Sequence, residues 1–156
     1  AAKRLEVSST TLPQMSIPLV MGDPRYADHL DGREAMFSAR ADEMMAVFDG
    51  CESVLVNKPC GAFYYTVMLN EGLLNHGQSL PIANPRIAEL IAGRVQDVAP
   101  DKRFVHYLMG ATGIVVVPLT GFQCAHEGFR ATLLETDDVK RAWTLKTLRE
   151  SIEAYP

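Results

Sequence analysis

The sequence predicts a fold of the α/β (α+β) class, in which helices cover a mixed β-sheet. Apolar residues recur at helical spacing in long segments that begin at Asp-Pro or Asn-Pro pairs. Short runs of β-branched and aromatic residues separate these segments and are typical of strands. The chain has 156 residues and no internal repeat, which suits a domain of ordinary size.

Composition and charge exclude several classes of protein. Hydrophobic residues make up 47% of the chain and charged residues 22%, which excludes a disordered chain. The formal net charge of -4 argues against a nucleic-acid partner, because phosphate binding needs a concentrated basic surface. No apolar run approaches the roughly 20 residues of a membrane helix, and the three cysteines cannot all pair. We therefore expect a soluble, cytoplasmic protein without a membrane partner.

Two helices are predicted in the first third of the chain. Residues 8–18 combine capping-prone Ser and Thr with two prolines and support only a short or broken helix. Asp23 and Pro24 then begin a long amphipathic helix, because Asp caps free N–H groups and Pro fits the first turn. Gly50 is suited to end it. The apolar positions at helical spacing are Tyr26, Leu30, Phe37, Ala41, Met44, Met45 and Phe48.

The next segment predicts two strands and a loop. Residues 53–56 and 62–69 are rich in β-branched and aromatic residues, and the breakers at 57–61 separate them. Two strands joined by a turn are the simplest interpretation. Residues 70–81 are polar and contain glycine, so an exposed loop is expected there.

Two further helices are predicted after this loop. The first begins at Asn84 and Pro85, which repeat the pattern of a cap followed by proline. Its apolar face consists of Ile87, Leu90, Ile91, Val95 and Val98. Asp101 can cap the second helix. The apolar residues of that helix are Phe104, Tyr107 and Leu108.

Two strands and a final helix complete the predicted elements. Residues 114–117 form a short apolar strand, which would be buried on both faces in the centre of a sheet. Residues 128–134 form the other strand. Thr136, Asp137 and Asp138 place a cap and two acids at a helix N-terminus, so helix electrostatics explain the acidic pair without catalysis. The apolar stripe of this helix is Val139, Trp143, Leu148 and Ile152.

Three candidate sites have a simpler structural interpretation. Residues 110–113 have the composition of a phosphate loop, but a helix precedes them and a strand follows, which favours a helix-ending turn. Cys124 and His126 supply two ligands where a structural zinc ion takes four, so no metal is expected. Cys60 could act as a nucleophile with a distant histidine as base, whereas a small buried thiol is the simpler interpretation.

Arg130 lies in the predicted strand 128–134. Alternation along a strand points Phe129 and Leu133 to one side and Arg130 to the other. An unpaired buried charge is costly, so the guanidinium needs an acidic partner or an edge position. Two interpretations remain open, namely a structural arginine at the sheet edge or in an ion pair, and a planar fork that binds a substrate carboxylate.

Three segments together carry a resemblance to a known family. They are 57–64 (Asn-Lys-Pro-Cys-Gly-Ala-Phe-Tyr), 113–122 (Gly-Ile-Val-Val-Val-Pro-Leu-Thr-Gly-Phe) and 128–134 (Gly-Phe-Arg-Ala-Thr-Leu-Leu). With these segments in this order, the chain resembles the C-terminal small domain of the class I/II, fold type I aminotransferases, which depend on pyridoxal phosphate.

The resemblance also assigns the ends of the chain. The long helix from Pro24 resembles the interdomain helix of that family, and residues 136–155 resemble its terminal helix. The resemblance implies that residues 1–22 are a remnant of the large-domain end. Residues 23–156 would then form the small domain.

The family's substrate-binding arginine corresponds to Arg130. By this resemblance, Arg130 binds the α-carboxylate of an amino acid or 2-oxo acid through two parallel N–H bonds, which would also orient the substrate Cα–H bond. Gly61 and Phe63 would pack near the active-site mouth. Pro118 and Phe122 would shape the segment that leads to Arg130.

The family's Schiff-base lysine is not expected in this sequence. In the family it belongs to the large domain, together with the Asp that contacts the pyridinium nitrogen and the phosphate-binding residues. None of the five lysines has the Ser/Thr-rich context of that lysine; they are Lys3, Lys58, Lys102, Lys140 and Lys146. We therefore expect an inactive fragment without catalytic, cofactor-binding or metal-binding residues. Pyridoxal phosphate would be bound by the full-length parent and not by this fragment.

The resemblance implies that the parent moves an amino group between an amino acid and a 2-oxo acid. Its partners would be the fragment's own large domain and a second copy in a homodimer. The stretch 70–110 lengthens the middle of the domain and could bear on substrate choice. One alternative is a freestanding, non-catalytic α/β module for ligand binding or regulation. Another is a cysteine-dependent hydrolase that uses Cys60.

Overall fold

The computed structural model describes residues 10–155. Residues 1–9, which belong to the predicted large-domain remnant, lie outside the described residues. The described part contains five α-helices and a four-stranded sheet, so the predicted α+β class is confirmed. It divides into two compact units between Met36 and Phe37. Within residues 10–155, no helix combines the length and the apolar character that crossing a bilayer requires.

The first unit contains helix α1 (Thr11–Met21) and the start of helix α2 (Tyr26–Phe48). Pro18 lies inside α1, and none of the residues of α1 is buried. The prediction of a short helix in this region is confirmed. Before α2, Asp23 accepts the backbone N–H of Arg25 at 2.9 Å and pairs with its guanidinium. Asp23 thus fixes the chain just ahead of the long helix, where the sequence predicts a cap.

The second unit is built on one antiparallel sheet. Its strands are β1 (Val54–Val56), β2 (Tyr64–Leu69), β3 (Val117–Pro118) and β4 (Gly128–Thr132), in the spatial order β1-β2-β4-β3. The pairings of β1 with β2, β2 with β4 and β3 with β4 are all antiparallel. The sequence predicts a mixed sheet, but the observed sheet is antiparallel throughout. The hairpin of β1 and β2 is confirmed.

Three helices and the end of α2 complete the second unit. They are α3 (Pro85–Arg94), α4 (Pro100–Thr112) and α5 (Asp138–Ala154). Asn84 caps α3 and Asp137 caps α5, since each side chain accepts backbone N–H groups of the first turn. The predicted cap Asn84 is confirmed, and the cap of α5 is Asp137, one residue after the predicted cap Thr136.

Residues 110–113 form the predicted helix-ending turn. Helix α4 ends at Thr112, and Gly113 adopts the left-handed conformation with a φ of +78°. The N–H of Gly113 donates to the carbonyl of Met109 at 2.9 Å. This is the geometry of a glycine C-cap.

The hydrophobic core lies between one face of the sheet and the helices. Alternation along β2 buries Tyr65, Val67 and Leu69, and Phe129 of β4 is buried beside them. The helices contribute Met44, Ile91, Phe104, Leu108, Leu148 and Ile152, all at most 2% exposed. We call the opposite face the open face. Its central residues are Tyr64, Thr66, Met68 and Arg130.

The strand predicted at 114–117 is shorter than expected and lies at the sheet edge. Only Val117 and Pro118 pair with β4. Val115 is 70% exposed, although its neighbours on both sides are buried. Burial on both faces was expected only for a strand in the centre of the sheet, and β3 lies at its edge, so that condition is not met.

Helices α2, α3 and α5 bury less of their predicted apolar stripes than expected, whereas the predicted apolar residues of α4, Phe104, Tyr107 and Leu108, are all buried. Leu30 of α2, Leu90 of α3, and Val139 and Trp143 of α5 are exposed. Leu145 is buried in α5 instead. The helical period identifies the helices correctly, but the core contacts only part of α2, α3 and α5, so a stripe extends beyond the buried turns.

Residues 70–81 form a loop as predicted, and eight of its twelve residues are exposed, but three are buried inside the fold. Leu74 and Gln78 are buried. The Gln78 side chain bonds to two backbone groups of the loop, and Arg103 of α4 donates to the Gln78 carbonyl at 2.9 Å. Polar side chains thereby satisfy the backbone of the loop inside the fold.

Gly128 occupies a position without room for a side chain. Its φ is +151°, and a Cβ placed there would lie 2.2 Å from the carbonyl oxygen of Val67. We expect Gly128→Ala to lower the free energy of unfolding by about 3 kcal/mol, because the clash is with strand backbone. Urea denaturation measures this change.

Gly93→Ala in α3 is the matched control for this substitution. No atom lies within 4 Å of its Cβ position, so we expect a stabilisation of about 0.5–1 kcal/mol from the better helix former. A Gly128→Ala protein as stable as the wild type would contradict the close packing of β4 on β2.

The surface of α1 predicts self-association of the 156-residue chain. Its six large apolar side chains are 53–77% exposed; they are Leu12, Met15, Ile17, Leu19, Val20 and Met21. An apolar surface of this kind tends to find a partner. Sedimentation velocity should show association that weakens in the variant Leu12→Ser/Leu19→Ser and persists in Val139→Ser, a control on α5. A monomer at high concentration would contradict this prediction.

Candidate functional site

Arg130 lies at the centre of the open face. Its Cα pairs with that of Thr66 on β2 and with that of Val117 on β3. The preceding residue, Phe129, is fully buried on the other face, which confirms the alternation predicted for this strand. The Arg130 side chain itself is half-buried. The sheet therefore presents a cation on the face that the helices leave uncovered.

Two aromatic rings flank the guanidinium of Arg130. Its Cζ lies 4.4 Å from the ring centroid of Tyr64 and 4.1 Å from that of Phe122. Both distances are those of a cation–π interaction. Tyr64 belongs to β2, and Phe122 ends the 3-10 turn Leu119–Phe122 that follows β3. The two rings come from separate segments and restrict the guanidinium between them.

The guanidinium of Arg130 has no hydrogen-bond or ion-pair partner among residues 10–155. By contrast, Arg141 binds the Glu43 carboxylate at 2.7 Å. The interpretation of Arg130 as a structural ion pair therefore finds no support in the described part of the chain. A planar guanidinium with available N–H groups matches the two oxygens of a carboxylate.

A buried carboxylate holds the turn that contains Phe122. Asp101 is fully buried in the first turn of α4. Its Oδ2 accepts the backbone N–H of Thr120 at 2.9 Å, and its Oδ1 accepts the Thr120 hydroxyl at 2.6 Å. The prediction that Asp101 caps α4 is wrong, since Ala99 is the N-cap. Burial explains the difference, because both oxygens of a buried carboxylate require donors.

Glu127 adds a second acidic group just before β4. Burial raises the pKa of its carboxyl, the negative charge of Asp101 raises it further, and His76 has the opposite effect. Neither acid forms an ion pair with Arg130. The acidic groups near β4 therefore leave the cation on the open face available.

A cavity of about 240 Å³ opens beside Tyr64. Tyr64 and Thr66 line it and are also the ring partner and the cross-strand neighbour of Arg130. The other lining residues are Leu55, Asn57, Lys58, Pro59, Tyr65 and Met68. The Nζ atom of Lys58 pairs with Asp42. The open face thus combines a cation with an adjacent recess of largely apolar residues.

A larger cavity, of about 540 Å³, lies at the start of α5 and does not include Arg130. Its two charged lining residues, Lys140 and Glu135, pair with each other at 2.7 Å. The hydrogen bond to Glu135 raises the pKa of the Lys140 ammonium. Because these charges compensate each other, the surface around Arg130 is the better candidate for an anion.

The structure places three of the four predicted supporting residues near the site. Phe122 contacts the guanidinium directly. Phe63 packs on Tyr64 with ring centroids 4.4 Å apart, and Pro118 pairs with β4 immediately before the 3-10 turn. Gly61 is exposed, and no atom lies within 4 Å of its Cβ position.

The cysteine and histidine candidates lie apart from Arg130. Cys60 is exposed in the loop between β1 and β2, so the interpretation as a buried thiol is wrong. The breakers around it keep that loop at the surface. Cys124 is half-buried and His126 is exposed. Among residues 10–155, no group of three or more His, Cys, Asp or Glu side chains could hold a metal ion.

Sequence reasoning missed Tyr64, Asp101 and Thr120. Strand alternation places Tyr64 on the face of Thr66, diagonal to Arg130, so the register of β2 against β4 was the signal needed. Asp101 and Thr120 are 19 residues apart. No local pattern predicts their contact.

Arg130 should matter less for folding than Arg141. The Arg141 side chain is only 13% exposed and binds Glu43 and Asp138, whereas Arg130 contacts two rings and no described acid. We expect Arg130→Met to lower the free energy of unfolding by less than about 1 kcal/mol. Arg141→Met should lower it by about 1–3 kcal/mol, because it leaves Glu43 unpaired. Chemical denaturation compares the two, and a larger loss for Arg130→Met would favour a structural role.

The sequence is similar to part of a known protein. No protein-family model matches this sequence. The chain is 43% identical over 154 residues to an uncharacterized aminotransferase of Methanocaldococcus jannaschii. The alignment covers 99% of this chain and 36% of that protein, so the chain spans little more than a third of its relative's length. The chain therefore matches one part of a protein that is named as an aminotransferase.

Proposed function

We propose that this chain is the part of an aminotransferase that binds the substrate carboxylate through Arg130. The complete enzyme would move an amino group between an amino acid and a 2-oxo acid. The guanidinium of Arg130 carries this proposal, since it lies between two rings without a carboxylate partner in residues 10–155. The similarity to a named aminotransferase supports the reaction class.

Arg130 would bind both carboxylate oxygens in the plane of its guanidinium. Tyr64 and Phe122 flank the group at 4.4 and 4.1 Å, so a ligand would approach the N–H edge. Two parallel N–H···O bonds fix the plane of the carboxylate and, through it, the direction of the substrate Cα–H bond. Lysine offers no such pair of donors in one plane.

The resemblance to aminotransferases implies pyridoxal phosphate, but the described lysines do not fit a Schiff base. Lys58, Lys140 and Lys146 each bind a carboxylate, which suits an ammonium group and not the free amine that condenses with an aldehyde. Lys102 lies in the first turn of α4. Residues 110–113 end the same helix and do not form a phosphate loop. We assign the cofactor to a large domain of the complete enzyme.

The same large domain and a second copy of the chain are the proposed partners. The exposed apolar side chains of α1 support a covering partner, because extended apolar surfaces are uncommon on isolated proteins. The cavity beside Tyr64 lies next to the proposed carboxylate site and supports a substrate that is bound on the open face.

Arg130→Lys in the complete enzyme tests the proposed function. The substitution keeps the positive charge but loses the planar fork, so the carboxylate is held less tightly and is less well oriented. We expect kcat/KM for carboxylate substrates to fall about ten- to hundredfold, the equivalent of one charge-assisted hydrogen bond of roughly 1.5–3 kcal/mol. Arg130→Ala should be worse. Steady-state kinetics with an amino acid and a 2-oxo acid measures both.

Arg86→Lys is the matched control. Arg86 is exposed on α3, and its substitution should leave kcat/KM unchanged. A specificity constant that Arg130→Ala does not alter in the folded enzyme would remove Arg130 from the carboxylate site.

A further inference from the structure

We propose that Asp101 and Thr120 are positioning residues for Arg130. Their buried contact fixes the 3-10 turn Leu119–Phe122 and so holds the Phe122 ring against the guanidinium. This inference rests on the proposed function of Arg130 as the carboxylate-binding group. It adds two residues that touch no substrate and act on Arg130 through the Phe122 ring.

Asp101 lies in a buried environment. The residue is 0% exposed, and it has no ion-pair partner among residues 10–155. A buried carboxylate without a cation depends on its hydrogen-bond donors. The donors are the backbone N–H and the hydroxyl of one residue, Thr120, at 2.9 and 2.6 Å. The position in the first turn of α4 also favours a negative charge.

The contact between Asp101 and Thr120 fixes the turn Leu119–Phe122. Both bonds from Asp101 end on Thr120, so they restrain its backbone as well as its side chain. Leu119 beside it is buried, and the N–H of Gln123 donates to the Thr120 carbonyl at 3.2 Å. The turn therefore has a buried start and a bonded centre.

Phe122 lies at the end of this turn. Its side chain is 47% exposed, and its ring contacts the Arg130 guanidinium, whose Cζ lies 4.1 Å from the ring centroid. The core does not hold this ring in place. Its position follows from the turn backbone, and that backbone is anchored at Thr120.

The two rings that contact Arg130 are held in different ways. The Tyr64 ring is attached to β2, which is fixed by pairing on both sides. The Phe122 ring is attached to the turn that the buried contact between Asp101 and Thr120 holds to α4. Loss of the clamp would leave the guanidinium with one wall and more rotational freedom. A carboxylate would then pay for ordering Arg130 when it binds.

The test uses Thr120→Val in the complete enzyme, with propionate as a carboxylate that cannot react. Valine keeps the shape of threonine and removes the hydroxyl donor to Asp101. We expect the inhibition constant of propionate to rise about two- to fivefold, as for the loss of one exposed cation–π contact. The Nε–H resonance of Arg130, assigned by its absence in Arg130→Lys, should move downfield as the ring withdraws. Thr120→Ser keeps the hydroxyl and should behave as the wild type.

Thr112→Val is the matched control. The Thr112 hydroxyl also serves α4, where it donates to Leu108 and accepts from Ile114, but it lies at the other end of that helix. We expect it to leave the propionate constant and the Arg130 resonance unchanged. If Thr120→Val fails to fold, Asp101→Asn takes its place with the same criteria.

A double-mutant cycle with Phe122→Leu identifies the route of the effect. If Thr120 acts through the ring, Thr120→Val should add nothing once Phe122 is leucine. An unchanged propionate constant in folded Thr120→Val, or an equal effect in the Phe122→Leu background, would overturn the inference. If Arg130→Lys itself leaves propionate binding unchanged, the proposed function fails instead. Weaker binding in Arg130→Lys alone would remove only the positioning role.

Discussion

Consecutive residues of strand β4 lie on opposite faces of the sheet, one in the core and one in the site, and the site depends on this arrangement. Phe129 is fully buried against the helices, while Arg130 lies on the open face. Because strand side chains alternate, a shift of one residue against β2 would bury the guanidinium and expose the ring. The cost of that exchange, together with the close backbone approach at Gly128, fixes the register. The hydrophobic core thereby decides where the cation lies.

The aromatic partners of Arg130 differ in their effect from an acidic partner. A carboxylate would occupy the N–H donors, whereas rings attract the cation through their faces and leave the edge unoccupied. Other arginines of the second unit serve the fold. Arg103 donates to the carbonyls of Gln78 and Val95, and Arg149 donates to carbonyls at the end of α2. In the described part of the chain, Arg103 and Arg149 thus bind backbone carbonyls of the fold, whereas two rings contact Arg130 without neutralising it.

The sequence predicts most of the local structure because local structure has local causes. The caps at Asn84 and Asp137, the glycine that ends α4 and the alternation around Arg130 depend on residues close in the chain. Contacts made by tertiary packing were not predictable in this way. Asp101 has the position of a helix cap, yet its carboxylate binds a turn that only folding brings near. The loop 70–81 is polar for the same reason, since Gln78 bonds inside the fold.

Helix α4 belongs to a stretch on which both the core and the turn beside Arg130 depend. The stretch 70–110 has the aspect of an insertion in the sequence, but it supplies Phe104 and Leu108 to the core and Asp101 to the turn beside Arg130. A domain without this stretch would lack the residues that cover Phe129 and anchor Thr120. The stretch and the sheet therefore form one structural unit. Deletion of residues 70–110 would uncover Phe129 and release the turn that carries Phe122, whereas substitutions on the exposed surface of the stretch would leave both contacts in place.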